Sequence, residues 1–308
     1  MTFLGTLASL GFVGAVLRSA TPIGLAALGG TLSERSGVPN IALEGVMLSS
    51  ALASVAVHAA TGSPLVGLLA GISMGALLGA IHAGLVVHAR IDAIVSGLAL
   101  NLVAAGGTRA LLRALYHSSS NSPTVAGFRI ASLEGSSGGA LLLRALCDPT
   151  TWLFVVATVL LRFVLERSWV GPWIRASGDD PVSAYASGVP VRKVRTLSTV
   201  AGCALVGVAG VSLAFEQHQF QSGMTGGRGF IALAAVIVAG WRPGRAVVAC
   251  FAFAILDAVG VMLQDGGGSL PQVFSALPYL GTLLVLVAFA KRGSFGAPAG
   301  LGRDPNES

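Results

Sequence analysis

The chain has 308 residues, 54% of them hydrophobic and only 10% charged, with a mean hydropathy of +0.79. Soluble domains carry about 25% charged residues, so this composition excludes an ordinary soluble globule and points to a protein embedded in a bilayer. The formal charge of +6 comes from two lysines, Lys193 and Lys291, and from scattered arginines, which excludes a nucleic-acid-binding patch and reads as a topology signal.

Apolar segments run over about 3–32, 41–60, 64–89, 93–115, 150–166, 196–215, 229–240, 245–263 and 277–290. The expected fold is an all-α polytopic membrane protein of eight to nine transmembrane helices, several of them broken by Gly and Pro. The first segment has no basic region before it, so it is expected to stay in the mature protein. Arg18 either lies within one long helix or splits that segment into an interfacial helix and a span. Placing Arg35, Arg90, Arg162, Arg167, Arg175, Arg192, Lys193, Arg195, Arg242, Arg245, Lys291 and Arg292 on one side puts the N-terminus outside and the C-terminus inside. The Ser/Gly-rich stretch 116–149 then reads as a solvated outer loop, and 293–308 as a disordered cytosolic tail.

"NIALEGVMLSS" begins at Asn40 and "FIALAAVIVAG" at Phe230, and each precedes further apolar spans of related pattern. By the charge argument the two copies run in opposite directions. This is an inverted-topology repeat, with halves of about 19–115 and 197–291, an arrangement that places a substrate path between the halves near the midplane. The whole of 1–292 is expected to form a single transmembrane domain.

Polar residues inside the apolar segments are candidates for that path. Gly37 and Pro39 interrupt helix among Ser33, Glu34, Arg35, Asn40 and Glu44. Glu44 needs a partner, with Arg35 or a backbone amide available, and it either serves the path or locks the broken helix. Asn101 and Asp257 lie within spans, whereas Asp92 reads as a helix cap. Phe230 follows the flexible "GGRG" and faces either a constriction or lipid. His58, His82 and His88 lack metal spacing and read as helix-bridging side chains. Cys147, Cys203 and Cys250 form no C-x-x-C, so no metal or cofactor is expected. Gly135–Gly138 carries a G-x-S-G string, but in a polar loop, so no enzyme is expected.

A polar island, "RASGDDPVSAYASGVPVRKVR", occupies 175–195 within the cytosolic connection 168–195. Asp180 is a good N-cap, Pro181 suits the first helical position, and Gly188 with Pro190 makes a stop. A two-turn helix over Pro181–Ser187 follows, with Val182, Tyr185 and Ala186 on one face as an apolar knob. It is either a docking element for another protein or a capped surface turn.

Four stretches carry a family resemblance: 21–50, 91–104, 174–195 and 224–259, with the blocks "ERSGVPNIALEG" and "GRGFIALAAVI". They resemble the permease subunits of bacterial ABC importers for nucleosides and simple sugars, over about residues 19–292. The length resembles the shorter permease of nucleoside-type systems. The resemblance implies a bacterial inner-membrane protein that moves nucleosides or related ribose-type sugars. It implies three partners besides membrane lipid: a cytosolic ABC ATPase, a second, longer permease, and an extracytoplasmic lipoprotein that binds substrate. It also implies that Asp179, Asp180, Pro181, Ala184, Tyr185 and Gly188 seat against the ATPase. No G-x-x-x-x-G-K-[ST] occurs, which fits a motor on another chain. An ion-coupled secondary transporter using Glu44 and Asp257 is the alternative reading.

Overall fold

The computed structural model describes residues 9–128, 138–265, 280–281 and 296–303. Its helices are α1 (Leu10–Arg35), α2 (Leu43–Thr61), α3 (Pro64–Ala83, extended by a π-turn over Gly84–His88), α4 (Ala93–Tyr116), α5 (Gly138–Cys147) and α6 (Pro149–Glu166). They continue with α7 (Val170–Asp179), α8 (Pro181–Ala186), α9 (Val191–Glu216), α10 (Arg228–Val238) and α11 (Pro243–Asp265). Seven of these are long and apolar enough to cross a membrane. The fold is an all-helical polytopic membrane protein. Among the described residues the only β-type pairing is one isolated bridge, Asn121 with Gln221. The clustered basic residues mark the inner end of the bundle, and the opposite end is the outer one.

Several expectations change. The segment at 229–240 is a helix of 11 residues, about 16 Å long and too short to cross. The segment 277–290, apart from 280–281, and the serine of the G-x-S-G string lie outside the described residues. Arg18 does not split α1, because its guanidinium pairs with Glu216 at 3.4 Å and the helix runs through it and through Pro22. The outer loop is not wholly solvated: Ser122 and Val125 donate backbone N–H groups to Phe220 and His218, and α5 packs against α1. Nor is the tail disordered throughout, since residues 296–303 are seated on the inner face.

Long helix α9 is the core of the bundle, packed on α1, α2 and α3. Close approach is what its glycines provide. A Cβ at Gly202 would meet the carbonyl oxygen of Gly29 at 2.4 Å, and one at Gly207 that of Gly71 at 2.5 Å. In α3, Gly67, Gly71, Gly75 and Gly79 repeat every fourth residue and are buried, while Leu65, Leu69, Leu77 and Ile81 are exposed. Small residues face the protein and large ones face lipid, the pattern of helix packing where burial in water supplies no drive.

Two breaks define the architecture. Helix α1 descends to Arg35, and 36–42 climbs back until Asn40 reaches Cys203. Cys203 lies 12 residues along α9, about 18 Å from its inner end. On the other side, α9 rises to Glu216, and 217–227 leads back down to α10. Each 26-residue helix is thus followed by a re-entrant stretch and a helix that begins within the bilayer.

Candidate functional site

Irregular backbone at membrane depth requires internal partners, because lipid offers none. The first break has them. Ser33 Oγ donates to the Val38 carbonyl at 3.0 Å, and His82 Nε2 to that of Pro39 at 3.0 Å, its Nδ1 meeting the Ser96 hydroxyl at 2.9 Å. Asn101 donates Nδ2 to the Ile41 carbonyl at 2.9 Å and accepts the Gly45 N–H on Oδ1 at 2.8 Å. Helix α2 has no side-chain cap of its own at Ala42, so Asn101 of α4 supplies one.

Glu44 does the same across the molecule. Its Oε1 accepts the Gly227 N–H at 2.8 Å and its Oε2 the Gly229 N–H at 2.7 Å, at the N-terminus of α10. A carboxylate suits the positive end of a helix dipole, and Gly229 permits the approach because a Cβ there would stand 2.5 Å from the Glu44 nitrogen. The partner is a backbone amide, one of the two choices left open by the sequence, and the helix that Glu44 locks is α10.

Asn40 is fully buried, donates to Cys203 Sγ at 3.3 Å, and leaves its Oδ1 without a partner among the described residues. Asp257 of α11 pairs with Arg228 at 3.4 Å, beside the same junction. Phe230, in the first turn of α10, is 47% exposed. Glu44, Asn101, Arg228 and Asp257 therefore gather about the start of α10, and Asn40 lies below them against α9. Trp241 was not picked out in the sequence; its indole donates to Glu34 at 2.6 Å, fastening the inner end of α10 to that of α1.

Around the outer ends of α1, α5, α6 and α9 lies a cavity of about 380 Å³, lined by Arg18, Arg144, Asp148, Thr151, Ser212 and Glu216 among others. It opens on the face opposite the polar island.

The island folds as its local sequence dictates. Asp180 Oδ1 accepts the Ser183 N–H at 3.1 Å, Pro181 opens α8, and Gly188 at φ +85° lets Val189 N–H reach the Ala184 carbonyl at 3.0 Å. Those contacts with Ser183 hold the Asp180 carboxyl below its usual range. Pro181 and Ala184 are buried against the protein, while Val182 and Tyr185 are 43% and 68% exposed, with Ala186 beside them. Asp179 is exposed and pairs with Arg35 at 3.6 Å. The outward surface of the helix is thus the Val182–Tyr185–Ala186 face, and Ala184 and Pro181 anchor it.

The family described as "Branched-chain amino acid transport system / permease component" matches residues 12–288. Three curated proteins are similar over nearly the whole chain. TsgC13 of Haloferax volcanii, an ABC transporter permease protein named provisionally for glucose, is 34% identical over 90% of each chain. The guanosine ABC transporter permease protein NupQ of Bacillus subtilis is 31% identical over 91% of this chain and 92% of its own. The nucleoside ABC transporter permease protein NupC of Lactococcus lactis is 28% identical, over 87% and 89%.

Proposed function

Because the chain belongs to the family of branched-chain amino acid transport system permease components, we propose that it is the membrane subunit of an ATP-binding-cassette importer for nucleosides or related ribose-type sugars. The observation that carries the reading is α8: an exposed apolar knob on a capped, two-turn helix at the inner end of the bundle. A permease that does not hydrolyse ATP must receive work from a chain that does, and Val182, Tyr185 and Ala186 offer the surface to receive it. Asp179, Asp180, Pro181, Ala184 and Gly188 shape and anchor that surface.

The family description names branched-chain amino acids, whereas NupQ and NupC are named for guanosine and nucleosides. Similarity over about nine-tenths of each of those two supports the nucleoside class, and that to TsgC13 supports the sugar alternative. Membership of an ABC permease family implies an ATPase and a substrate-binding protein as partners, and in this reading the second permease is a longer chain and the binding protein an extracytoplasmic lipoprotein. The path runs by the junction of α2 and α10, where Phe230 offers a stacking surface and Asp257 with Arg228 a polar edge. An ion-coupled mechanism would need Glu44 and Asp257 as cation sites, and both are engaged, one on backbone amides and one on Arg228.

The test is a mild-detergent purification of the tagged chain from its native membrane, followed by uptake of labelled guanosine into vesicles. Co-purification of an ATPase and ATP-dependent uptake are expected. Uptake by the chain alone on an ion gradient would overturn the reading.

A further inference from the structure

Arg195 stands in the basic run 192–195 that the sequence assigns to topology, yet it is only 4% exposed. Its guanidinium donates Nε to the Ser36 carbonyl at 3.2 Å, Nη2 to that of Ser177 at 3.0 Å and of Gly300 at 3.4 Å, and Nη1 to that of Arg303 at 2.6 Å. Ser36 caps α1, Ser177 lies in the last turn of α7, and Gly300 and Arg303 belong to the C-terminal segment. The charge therefore sits at the negative ends of two helix dipoles, and carbonyl oxygens from three separate segments surround it.

The backbone is tied in the same place. Gly300 N–H donates to the Gly178 carbonyl at 2.8 Å and Gly302 N–H to the Gly37 carbonyl at 3.0 Å. No side chain fits at the first of these crossings: a Cβ at Gly300 would stand 2.6 Å from Pro181 Cδ, and one at Gly178 would stand 2.3 Å from the Arg35 carbonyl oxygen. Residues 296–303 thus run as a strap across the elbow between α7 and α8 and across the first turn of the re-entrant break at Gly37.

We propose that Arg195 and the strap 296–303 join the elbow before α8 to the end of α1 as one body, making Arg195 a positioning residue for ATP-driven transport. Displacement of α8 cannot then be absorbed at the Gly178–Pro181 elbow. It passes to Gly37 and along the break to Asn40 and the base of α2, a chain of packed groups with two ends and no slack. Lysine cannot replace Arg195, because a single ammonium does not present the planar fork that reaches three segments at once. This proposal rests on the reading of α8 as the ATPase-facing element.

Two measurements separate the proposal from that reading. The first uses the purified full chain and asks for amide hydrogen exchange over 178–189 in the wild type, in a form ending at residue 295, in Arg195→Lys and in Gly300→Val. Loss of a charge-assisted contact predicts exchange faster by about 10-fold or more in all three variants. Unchanged exchange overturns the strap. The second uses the purified complete importer and asks for substrate moved per ATP hydrolysed. The variants are expected to hydrolyse ATP with the substrate moved per ATP reduced about 5-fold or more, a change that simple loss of folded protein would not produce, since it lowers both rates together. Faster exchange with wild-type uptake per ATP overturns the positioning role. If the wild-type chain shows no ATP-dependent transport at all, the functional reading fails, and the exchange experiment still decides whether the strap holds the elbow.

Discussion

Glu34 accepts the indole N–H of Trp241 at 2.6 Å, and this contact between residues 207 positions apart holds the inner end of α10 against that of α1. Both residues are buried. Trp241→Phe keeps most of the apolar surface and leaves a buried carboxyl short of a donor, so it is expected to destabilise the chain by about 1–3 kcal/mol. Thermal unfolding in detergent measures this. In a double-mutant cycle with Glu34→Gln, the second substitution should cost less in the Phe background than alone.

Glu44 should tolerate little. Glu44→Ala leaves the Gly227 and Gly229 amides of α10 without their acceptor inside the bilayer, whereas Glu44→Gln retains one carbonyl oxygen. The expected order of uptake in vesicles is wild type, then Gln, then Ala, with Ala reduced about 10-fold or more. Equal uptake in all three would remove the junction of α2 and α10 from the transport path.

On α8 the exposed and buried faces should respond differently. Tyr185→Ala is expected to leave thermal stability within about 0.5 kcal/mol while weakening retention of the ATPase on the tagged chain and lowering uptake. Ala184→Leu overpacks a buried position and should cost about 1–3 kcal/mol of stability. Pull-down and melting temperature, read side by side, distinguish the two.

The cap of α8 also has a pH signature. Asp180 has a folded-state pKa below its ordinary value, so its stabilisation is complete above that ordinary value and is lost as pH falls through the depressed one. Exchange of the α8 amides, corrected for intrinsic rates, should therefore be flat from about pH 8 to pH 5 and rise only in strong acid. In Asp180→Asn the acid-dependent rise should disappear.

Legibility in the sequence followed the range of the interactions. Helix α8 could be read to within a residue because its start and stop signals, Asp180, Pro181 and Gly188, act on neighbours three to four positions away. The helix interruption at 36–42 was readable from Gly37 and Pro39, but its re-entrant course was not, and the groups that make it tolerable, Asn101, His82 and Cys203, come from α4, α3 and α9 and share no local pattern with it. Asn101 reads from the sequence as a path residue, and the cap it supplies to the start of α2 is legible only once the two helices are placed side by side. Arg195 was assigned to topology because a basic residue near a span end usually serves that purpose, and its four carbonyl partners come from 18 to 159 positions away. The tail has a composition that favours disorder, and what orders residues 296–303 is backbone pairing with Gly37 and Gly178, which composition does not report.

The glycine stripe of α3 makes a further prediction. Gly75→Val places methyl groups where a Cβ alone already meets the Cys203 carbonyl oxygen at 2.4 Å, whereas nothing lies within 4 Å of a Cβ at Gly106 or Gly107 in α4. Gly75→Val should abolish assembly of the bundle. Gly106→Ala should be neutral to within about 1 kcal/mol. Yield of monodisperse protein after detergent extraction reports both.

That stripe also separates insertion from assembly during biogenesis. The residues that carry α3 into the bilayer, such as Leu65, Leu69 and Leu77, lie on one side of the helix, and the residues that let it dock, Gly67, Gly71, Gly75 and Gly79, lie on the other. A translocon partitions a segment by its apolarity and is indifferent to the fit of its glycines. A defect on the glycine side would therefore yield a chain with every span threaded and every loop on its proper side, and no packed interior. Such a chain is invisible to topology reporters and open to the proteases that survey the membrane for loosely associated helices.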